Sequence, residues 1–507
     1  MYLTQSLHRG VQQDPDAVHS IFGSRTYTHA QTLDRVARIA NGLRGLGVEG
    51  GDRVAILALN SDHYLQLLMA IPWADAVLVP VNIRWTAQEI AYSLVEAEVV
   101  VLFIDDAFAP LASALRNLCP ALSILIHSGE DVTPEDMLAL DELVRGSEPV
   151  EDAQRRGDAA AGIFYTGGTT GFPKGVILSH RNLLTSACGF SSASSMTPRG
   201  RLLHAAPVFH LAALSAWVAG SLVSSTHVVV PVFNPTSTMA AIADHHVTDV
   251  LLVPTMIQML VDHADVDQYD LSSITQLTYG ASPISESLLD RTRRVLPAVT
   301  FIQAYGMTEL SPVATVLTDD DHRDPVKRRS AGRAAVHSLV KIVDAAGNEL
   351  PRGQVGEIVV SGDHVMLGYW KKPQETAEAL RNGWMHTGDG AYMDEHGYVF
   401  IADRLKDMII SGGENVYSIE VENAIAQHPA VAQVAVVGLP DEAWGERVHA
   451  VVVLVPGRAL TIEELREHCG SEIARYKCPR SLEIVTELPI SGAGKVLKRE
   501  LRDRHRP

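Results

Sequence analysis

The chain has 507 residues, of which 46% are apolar and 20% are charged. This composition excludes a mainly disordered chain, because the apolar side chains suffice for two or more hydrophobic cores. The formal net charge of −18 at neutral pH disfavours charge-driven binding to nucleic acid or to an anionic membrane surface.

The cysteine content favours a reducing compartment, because four cysteines without C-x-x-C spacing cannot crosslink a chain of this length. They are Cys119, Cys188, Cys469 and Cys478. The N-terminal sequence MYLTQSLHRG shows no basic region followed by an apolar run, so we expect no signal peptide. The apolar stretch Tyr64–Ile83 is interrupted by two prolines and an aspartate, which predicts a buried helix and strand instead of a membrane span. We expect a cytoplasmic protein.

Short apolar runs alternate with helical patterns in the first half of the chain. A helix is predicted after Thr28, which forms a capping box with Gln31 and precedes an apolar stripe. Runs that are apolar at nearly every position predict strands covered on both faces. These runs are Arg53–Leu57, Ala76–Val81, Val99–Ile104, Ser123–Ile126, His227–Val232 and Asp249–Pro254. The alternation predicts an α/β fold with largely parallel sheets.

The pattern changes in the second half, where short strands bounded by glycines predict a β-rich subdomain. These strands are Val340–Val343, Glu357–Ser361 and Tyr398–Ile401. The charged, glycine-bearing segment DRLKDMIISGG follows and indicates a domain boundary. We therefore predict a large N-terminal domain, residues 1–403, and a small α+β domain, residues 404–507, whose second helix begins with a Thr461–Glu464 capping box.

The segment YTGGTTGFPKG, residues 165–175, is the strongest local signal. Its glycines let main-chain N–H groups converge on an anion, its threonines add neutral donors and Lys174 adds charge. This chemistry predicts a polyphosphate-binding loop, although an ordinary surface loop is the alternative. Neither the Walker A nor the G-x-G-x-x-G spacing fits it.

The same segment resembles the phosphate loop of the adenylate-forming enzymes, which include acyl-CoA synthetases, peptide-synthetase adenylation domains and firefly luciferase. The family usually has Ser or Thr where this chain has Gly168, a variant that also occurs in fatty acyl-CoA ligases. The resemblance implies that ATP phosphates contact Thr166, Gly167, Gly168, Thr169, Thr170, Gly171 and Lys174.

The segment QAYGMTE, residues 303–309, resembles the adenine and magnesium motif of this family. Tyr305 offers a flat face for a purine, and Gly306 permits close main-chain approach. Thr308 is a neutral donor for the α-phosphate, and Glu309 is a hard oxygen ligand for Mg²⁺. Taken alone, the string is equally typical of a strand-to-helix turn with a solvated glutamate. With the resemblance, Gln303, Ala304 and Met307 join the nucleotide site, and Thr166 joins Glu309 as a metal ligand.

Two weaker motifs extend the resemblance. GASP, which includes Gly280, Ala281 and Ser282, resembles the segment that lines the adenine pocket from the other side. TGD ends in Asp389, which by resemblance accepts hydrogen bonds from both ribose hydroxyls. Each string alone is more typical of a generic turn.

The segment Asp403–Glu420 resembles the hinge between the two domains of this family. The resemblance implies that Arg404 contacts the ribose, that Lys406 is the hinge residue, and that Gly412 and Gly413 lie along the path of the CoA thiol. A charged linker is the alternative interpretation, and it is compatible with the first.

The segment PISGAGK, residues 489–495, resembles the C-terminal lysine motif of the family. Out of context a surface lysine on a flexible tail would be the better interpretation. Because these motifs occur in family order, we expect Lys495 to bridge the substrate carboxylate and the α-phosphate of ATP. The domain that carries it is expected to rotate as a mobile lid, so that Lys495 withdraws before CoA reacts.

The resemblance implies an ATP-dependent acyl-CoA synthetase that uses Mg²⁺ and coenzyme A and works through an acyl-adenylate. PVFHLAAL, residues 207–214, resembles the segment beside the acyl pocket and makes His210 a candidate gate, although a lone histidine is more often structural. No lysine or arginine near QAYGMTE or GASP is placed for a second carboxylate. We therefore expect an apolar monocarboxylic acid, with a medium- or long-chain fatty acid first.

Alternatives remain open at this point. An aryl or arylpropenoyl CoA ligase would share all these motifs, because only the shape of the acyl pocket differs. A luciferase-like enzyme, a carrier-protein-loading adenylation enzyme and a catalytically inactive nucleotide-binding scaffold are further alternatives. The expected partners are the acid, ATP and CoA, without nucleic acid or a transmembrane segment, and a homodimer is one possible assembly.

Overall fold

The computed structural model describes residues 1–166, 173–194, 196–282, 284–404, 407–411, 414–441, 444–490 and 496–505, and only the main chain at residues 403, 404 and 415. Its helices are α1 Gln5–Gln13, α2 His29–Gly45, α3 Asp62–Trp73, α4 Ala87–Glu96, α5 Ala112–Leu118, α6 Leu140–Arg145, α7 His180–Ala193, α8 Leu211–Leu222, α9 Pro235–Asp244, α10 Pro254–Val261, α11 Glu286–Val295, α12 Asp319–Arg323, α13 Pro373–Ala379, α14 Ser418–Ala426, α15 Ile462–Glu472 and α16 Lys498–Asp503.

Its strands are β1 Val18–Phe22, β2 Arg25–Thr28, β3 Arg53–Leu57, β4 Val77–Pro80, β5 Val99–Ile104, β6 Ile124–His127, β7 Leu138–Ala139, β8 Ala160–Thr166, β9 Lys174–Ser179, β10 Arg201–His204, β11 Thr226–Val229, β12 Asp249–Leu251, β13 Gln276–Gly280, β14 Thr300–Gly306, β15 Val313–Leu317, β16 Arg333–Ala334, β17 Leu339–Val343, β18 Gly356–Ser361, β19 Gly368–Tyr369, β20 Leu380–Arg381, β21 Trp384–Met393, β22 Val399–Arg404, β23 Ile409–Ser411, β24 Glu414–Val416, β25 Val431–Asp441, β26 Gly445–Leu454 and β27 Ser481–Val485.

Two large, mostly parallel sheets form the body of the N-terminal domain. One has the strand order β16-β15-β14-β13-β12-β10-β11-β1-β2, and the other has the order β19-β9-β8-β4-β3-β5-β6-β7. Helices cover both faces of their central strands, and β4 is therefore buried at each of its positions. A continuous apolar core joins the two sheets. The predicted α/β class is confirmed.

A smaller antiparallel sheet, β17-β18-β21-β20 with β22 beside β21, forms the predicted β-rich subdomain. The C-terminal region contains the sheet β24-β23-β26-β25, with β27 parallel to β26. Helices α14 and α15 pack on this sheet around a separate apolar core. A large N-terminal domain and a smaller α+β C-terminal domain are confirmed, and the boundary between residues 403 and 404 stays a prediction.

The local signals in the sequence have clear structural counterparts. Thr28 and Thr461 each form the predicted capping box, and the apolar stretch at 64–83 folds as α3 and β4. The strand predicted to end at Pro254 ends instead at Leu251, because Pro254 occupies the first turn of α10. Among the described residues, no helix combines the length and the hydropathy that a membrane crossing needs.

Candidate active site

Strands β8 and β9 flank the segment predicted to bind polyphosphate. These strands pair antiparallel, and their register places Thr166 opposite Lys174. The Thr166 hydroxyl donates to the Lys174 carbonyl at 3.4 Å. The predicted contacts of residues 167–171 lie outside the described residues, so the structure positions only the two ends of the loop.

Lys174 is connected to the predicted metal ligand through Tyr369. The Lys174 Nζ atom lies 5.1 Å from the centroid of the Tyr369 ring, a cation–π distance. The Tyr369 hydroxyl donates to Glu309 Oε1 at 2.8 Å. Because β19 pairs with β9, the sheet that carries the loop also fixes the tyrosine that contacts Glu309.

Glu309 lies in the short 3₁₀ turn that follows β14 and is only 5% exposed. A carboxylate at this depth requires polar partners, and the Tyr369 hydroxyl provides one of them. Burial and the neighbouring carboxylate raise the pKa of Tyr369, so its hydroxyl stays a proton donor at neutral pH. The Glu309 carboxylate and the Thr166 hydroxyl are both hard oxygen donors, a donor type that suits Mg²⁺.

The predicted purine and ribose residues meet in the structure. The Tyr305 hydroxyl donates to Asp389 Oδ2 at 2.8 Å, although 84 residues separate them. The main-chain N–H of Asp389 donates to the Thr387 hydroxyl oxygen at 3.1 Å. In the β21–β22 pair, Asp389 lies opposite Arg404, whose side chain is outside the described residues. Three predicted nucleotide residues thus share one region.

Close main-chain packing accounts for two predicted glycines. A Cβ atom at Gly280 would lie 2.5 Å from the Ala304 carbonyl oxygen, its neighbour on β14. A Cβ atom at Gly306 would lie 1.8 Å from the Pro312 carbonyl oxygen. The sequence predicts that Gly306 lets the main chain approach a ligand. In the structure, Gly306 instead lets the main chain approach the Pro312 carbonyl of the same chain.

The remaining residues of these motifs cluster at the ends of β13 and β14. Ala281 follows Gly280 with a left-handed φ of 66°, and Ser282 comes directly after it. Gln303 Oε1 accepts a hydrogen bond from the Tyr279 hydroxyl at 3.3 Å. Met307 and Thr308 lie where β14 passes into the 3₁₀ turn. The register therefore brings GASP and QAYGMTE together.

His210 is half-buried and directly precedes α8. Its ring packs against that of the buried Phe209, with centroids 4.1 Å apart and an interplanar angle of 40°. The main chain before this pair is held by Asn60, which is buried and accepts a hydrogen bond from the Val208 N–H at 2.9 Å. The Asn60 amide nitrogen also donates hydrogen bonds to main-chain carbonyl oxygens nearby. One of these is the carbonyl oxygen of His204, at 3.3 Å.

Sequence reasoning missed both Tyr369 and Asn60. Each acts across a long sequence separation, 60 residues for Tyr369 to Glu309 and 148 for Asn60 to Val208. No local sequence motif indicates either of these two contacts. Four residues with predicted roles lie outside the described residues: Lys406, Gly412, Gly413 and Lys495. Their roles stay predictions.

The chain matches two family models, AMP-binding enzyme over residues 7–370 and AMP-binding enzyme C-terminal domain over residues 420–495. It is 38% identical over 499 residues to a feruloyl-CoA synthase of Amycolatopsis sp, covering 98% of this chain and 97% of the relative. It is 36% identical over 510 residues to the fatty acid–[acyl-carrier-protein] ligase ScoC of Streptomyces coeruleorubidus, covering 99% and 95%.

Among solved structures, the anthranilate CoA ligase AuaEII in complex with anthranoyl-AMP superposes with a TM-score of 0.93. Its sequence is 26% identical, and the match covers 99% of this chain and 97% of that one. The chain therefore belongs to the AMP-binding enzyme family. It is an acid–thiol ligase that makes acyl-CoA through an acyl-adenylate, with ATP and CoA as substrates.

Proposed function

We propose that this enzyme activates an apolar monocarboxylic acid, with an aromatic acid as the first candidate and a medium- or long-chain fatty acid as the second. The observation that carries the proposal is the Phe209–His210 ring pair at the start of α8. Flat rings at the acyl segment favour a planar acyl group through stacking. The helix that follows, LAALSAWVAGSL, has no charged residue to pair with a second carboxylate.

The names of the relatives support both candidates. Feruloyl-CoA synthase and anthranilate CoA ligase act, by name, on aromatic acids, whereas ScoC is named for a fatty acid and a carrier protein. The small residues that the sequence places near the acyl group, among them Ala213 and Ala304, leave room for either kind of tail.

In the first step, the substrate carboxylate attacks the α-phosphorus of ATP and pyrophosphate leaves. The protein contributes orientation and compensation of negative charge. In this proposal Lys174 and the loop bind the β- and γ-phosphates, Thr308 donates to the α-phosphate, and Asp389 accepts from the ribose. Lys495 bridges the two reacting anions.

Glu309 and Thr166 are the oxygen donors proposed to hold Mg²⁺, which when bound would neutralise phosphate charge. Tyr369 keeps the Glu309 carboxylate in place through its 2.8 Å hydrogen bond. In the second step, the CoA thiol attacks the adenylate carbonyl and a C–S bond forms. The acyl C–O bond to the phosphate breaks, AMP leaves with that oxygen, and the thiol proton is released to solvent.

The test is a panel of aromatic and fatty acids, each supplied with ATP and CoA. The measurements are pyrophosphate release and mass spectrometry of the thioester. We expect aromatic acids to give the highest kcat/KM, with CoA preferred over a phosphopantetheinyl carrier protein. Preference for a dicarboxylic acid would contradict the proposed acyl site, and preference for the carrier protein would contradict the acceptor.

A substitution in the Phe209–His210 ring pair tests whether this pair selects the acid. His210→Ala is expected to reduce kcat/KM for the preferred aromatic acid more than for a saturated fatty acid, because only the former stacks. The matched control is His337→Ala, which removes a partly buried histidine outside the acyl segment whose Nε2 contacts the Val313 carbonyl at 2.9 Å. An equal effect of both variants on both acids would show that the ring pair does not select the acid.

A further inference from the structure

Three potential metal ligands converge in the C-terminal domain, on the surface formed by β26 and β27. His449 lies on β26, Glu483 lies on β27, and His505 follows α16. Glu483 Oε2 is 2.9 Å from His505 Nε2 and 3.8 Å from His449 Nε2. Among the described residues, this is the group of three ligating side chains whose donor atoms lie within 4.8 Å of one another.

The surroundings of His449 suit a metal-binding imidazole. Its side chain is buried, with 4% of the residue exposed, and its Nδ1 lies 2.8 Å from the Ser481 hydroxyl oxygen. When Nδ1–H donates to that hydroxyl, the lone pair of Nε2 faces Glu483 and His505.

The contact between His449 Nδ1 and the Ser481 hydroxyl is of the kind that fixes the tautomer and ring orientation of a metal-bound histidine. Nε2 is buried, and among the described residues no group lies within hydrogen-bond distance of it, since Glu483 Oε2 is 3.8 Å away. A buried polar atom in this state calls for a ligand or a water molecule.

We propose that His449, Glu483 and His505 bind one divalent transition-metal cation of the zinc type. Zinc bonds of about 2.0–2.2 Å to nitrogen and oxygen place two ligand atoms about 3.4 Å apart on a tetrahedral ion. The distances from Glu483 Oε2 to His505 Nε2 and His449 Nε2, 2.9 and 3.8 Å, lie on either side of this value. A ligand set of two imidazoles and one carboxylate binds zinc-type cations in preference to Mg²⁺.

The site has an open side toward solvent, since the side chains of Glu483 and His505 are 33% and 30% exposed. A metal ion can therefore enter and keep a water molecule as a further ligand. Because His505 comes two residues after α16, bound metal fastens this helix to the sheet. The proposal is independent of the acid that the enzyme activates.

The experiment uses the full-length chain without a histidine tag, freed of metal with a chelator. Co²⁺ is titrated and followed by its visible ligand-field absorption, and Zn²⁺ is titrated by calorimetry. We expect one ion per chain and a higher unfolding temperature with Zn²⁺. His505→Ala and Glu483→Gln should each weaken binding at least 10- to 100-fold, because removing even a residue that only positions a metal ligand costs about this much affinity.

The matched control is His428→Ala in the same domain. His428 forms a ring pair with His468 at a centroid distance of 5.0 Å, but His468 Nε2 is engaged with the Ala424 carbonyl at 3.0 Å. This variant should bind metal like the wild type. The proposal is overturned if wild-type protein shows no Co²⁺ ligand-field bands, or if His505→Ala and Glu483→Gln bind as tightly as His428→Ala.

Discussion

The contact between Tyr369 and Glu309 gives the most specific prediction for the adenylation site. Tyr369→Phe removes one hydroxyl, which donates to Glu309 Oε1 at 2.8 Å. The phenyl ring remains, so the cation–π contact with Lys174 at 5.1 Å is retained. The substitution therefore isolates the effect of a single hydrogen bond on the carboxylate proposed to bind Mg²⁺.

The expected magnitude follows from the burial of Glu309. A hydrogen bond to a charged group contributes about 1.5–3 kcal/mol, and each 1.4 kcal/mol corresponds to about a tenfold change in rate. Glu309 is only 5% exposed, so water has little access to replace the lost hydroxyl. We expect kcat/KM for ATP to fall about 10- to 100-fold at limiting Mg²⁺.

The assay is pyrophosphate release over a range of Mg²⁺ concentrations, and excess Mg²⁺ should recover part of the loss. The matched control is Tyr398→Phe, because the buried Tyr398 hydroxyl donates to Asp321 Oδ1 at 2.6 Å outside the proposed site. This variant should lose stability without the dependence on Mg²⁺. The reasoning is refuted if both variants have the same Mg²⁺ dependence as the wild-type enzyme.

Three further predictions concern the lid, the hinge and the buried histidines. Lys495→Ala should abolish acyl-adenylate formation but largely spare thioester formation from supplied acyl-adenylate. Lys406→Pro should leave pyrophosphate exchange intact but slow CoA-dependent turnover, because proline stiffens the pivot. Burial lowers the pKa of His19 and His204 to about 3, so both stay neutral in the folded chain while the unfolded chain binds protons below about pH 6.5. Stability should therefore fall as the pH drops through 6.5 toward 3, by about 2 kcal/mol for each histidine at about pH 5, which thermal unfolding measures.

Each of these predictions has an outcome that contradicts it. Equal loss of both half-reactions in Lys495→Ala would argue against domain rotation, and equal loss in Lys406→Pro would argue against the hinge assignment. For the histidines, the informative variant is His204→Asn. It removes the ring whose Nε2 lies 2.9 Å from His227 Nδ1. Its unfolding temperature should depend less on pH than that of the wild type. Parallel pH profiles would mean that His204 does not titrate on unfolding.

The elements of the fold were predictable where the local pattern is strong. Arg53–Leu57 and Val99–Ile104 have the predicted bounds, because a short apolar run between polar residues has few other ways to be buried. The strand that was predicted through Pro254 was too long, since hydrophobicity alone does not show where a proline begins a helix.

The candidate site was predictable only in part. The motifs identified Tyr305 and Asp389 separately, but the hydrogen bond between them depends on how two sheets are placed. Tyr369 lies outside every motif and reaches Glu309 only because β19 adds to the edge of the loop-bearing sheet. Such contacts arise from strand register over long sequence separations, which local patterns do not encode.

The acyl-adenylate mechanism is tested most directly by acid-dependent exchange of labelled pyrophosphate into ATP in the absence of CoA. The wild-type enzyme should catalyse this exchange with its preferred acid, and Glu309→Gln should lose most of it while remaining folded. Acyl-CoA formation by the wild-type enzyme without any acid-dependent exchange would contradict the mechanism.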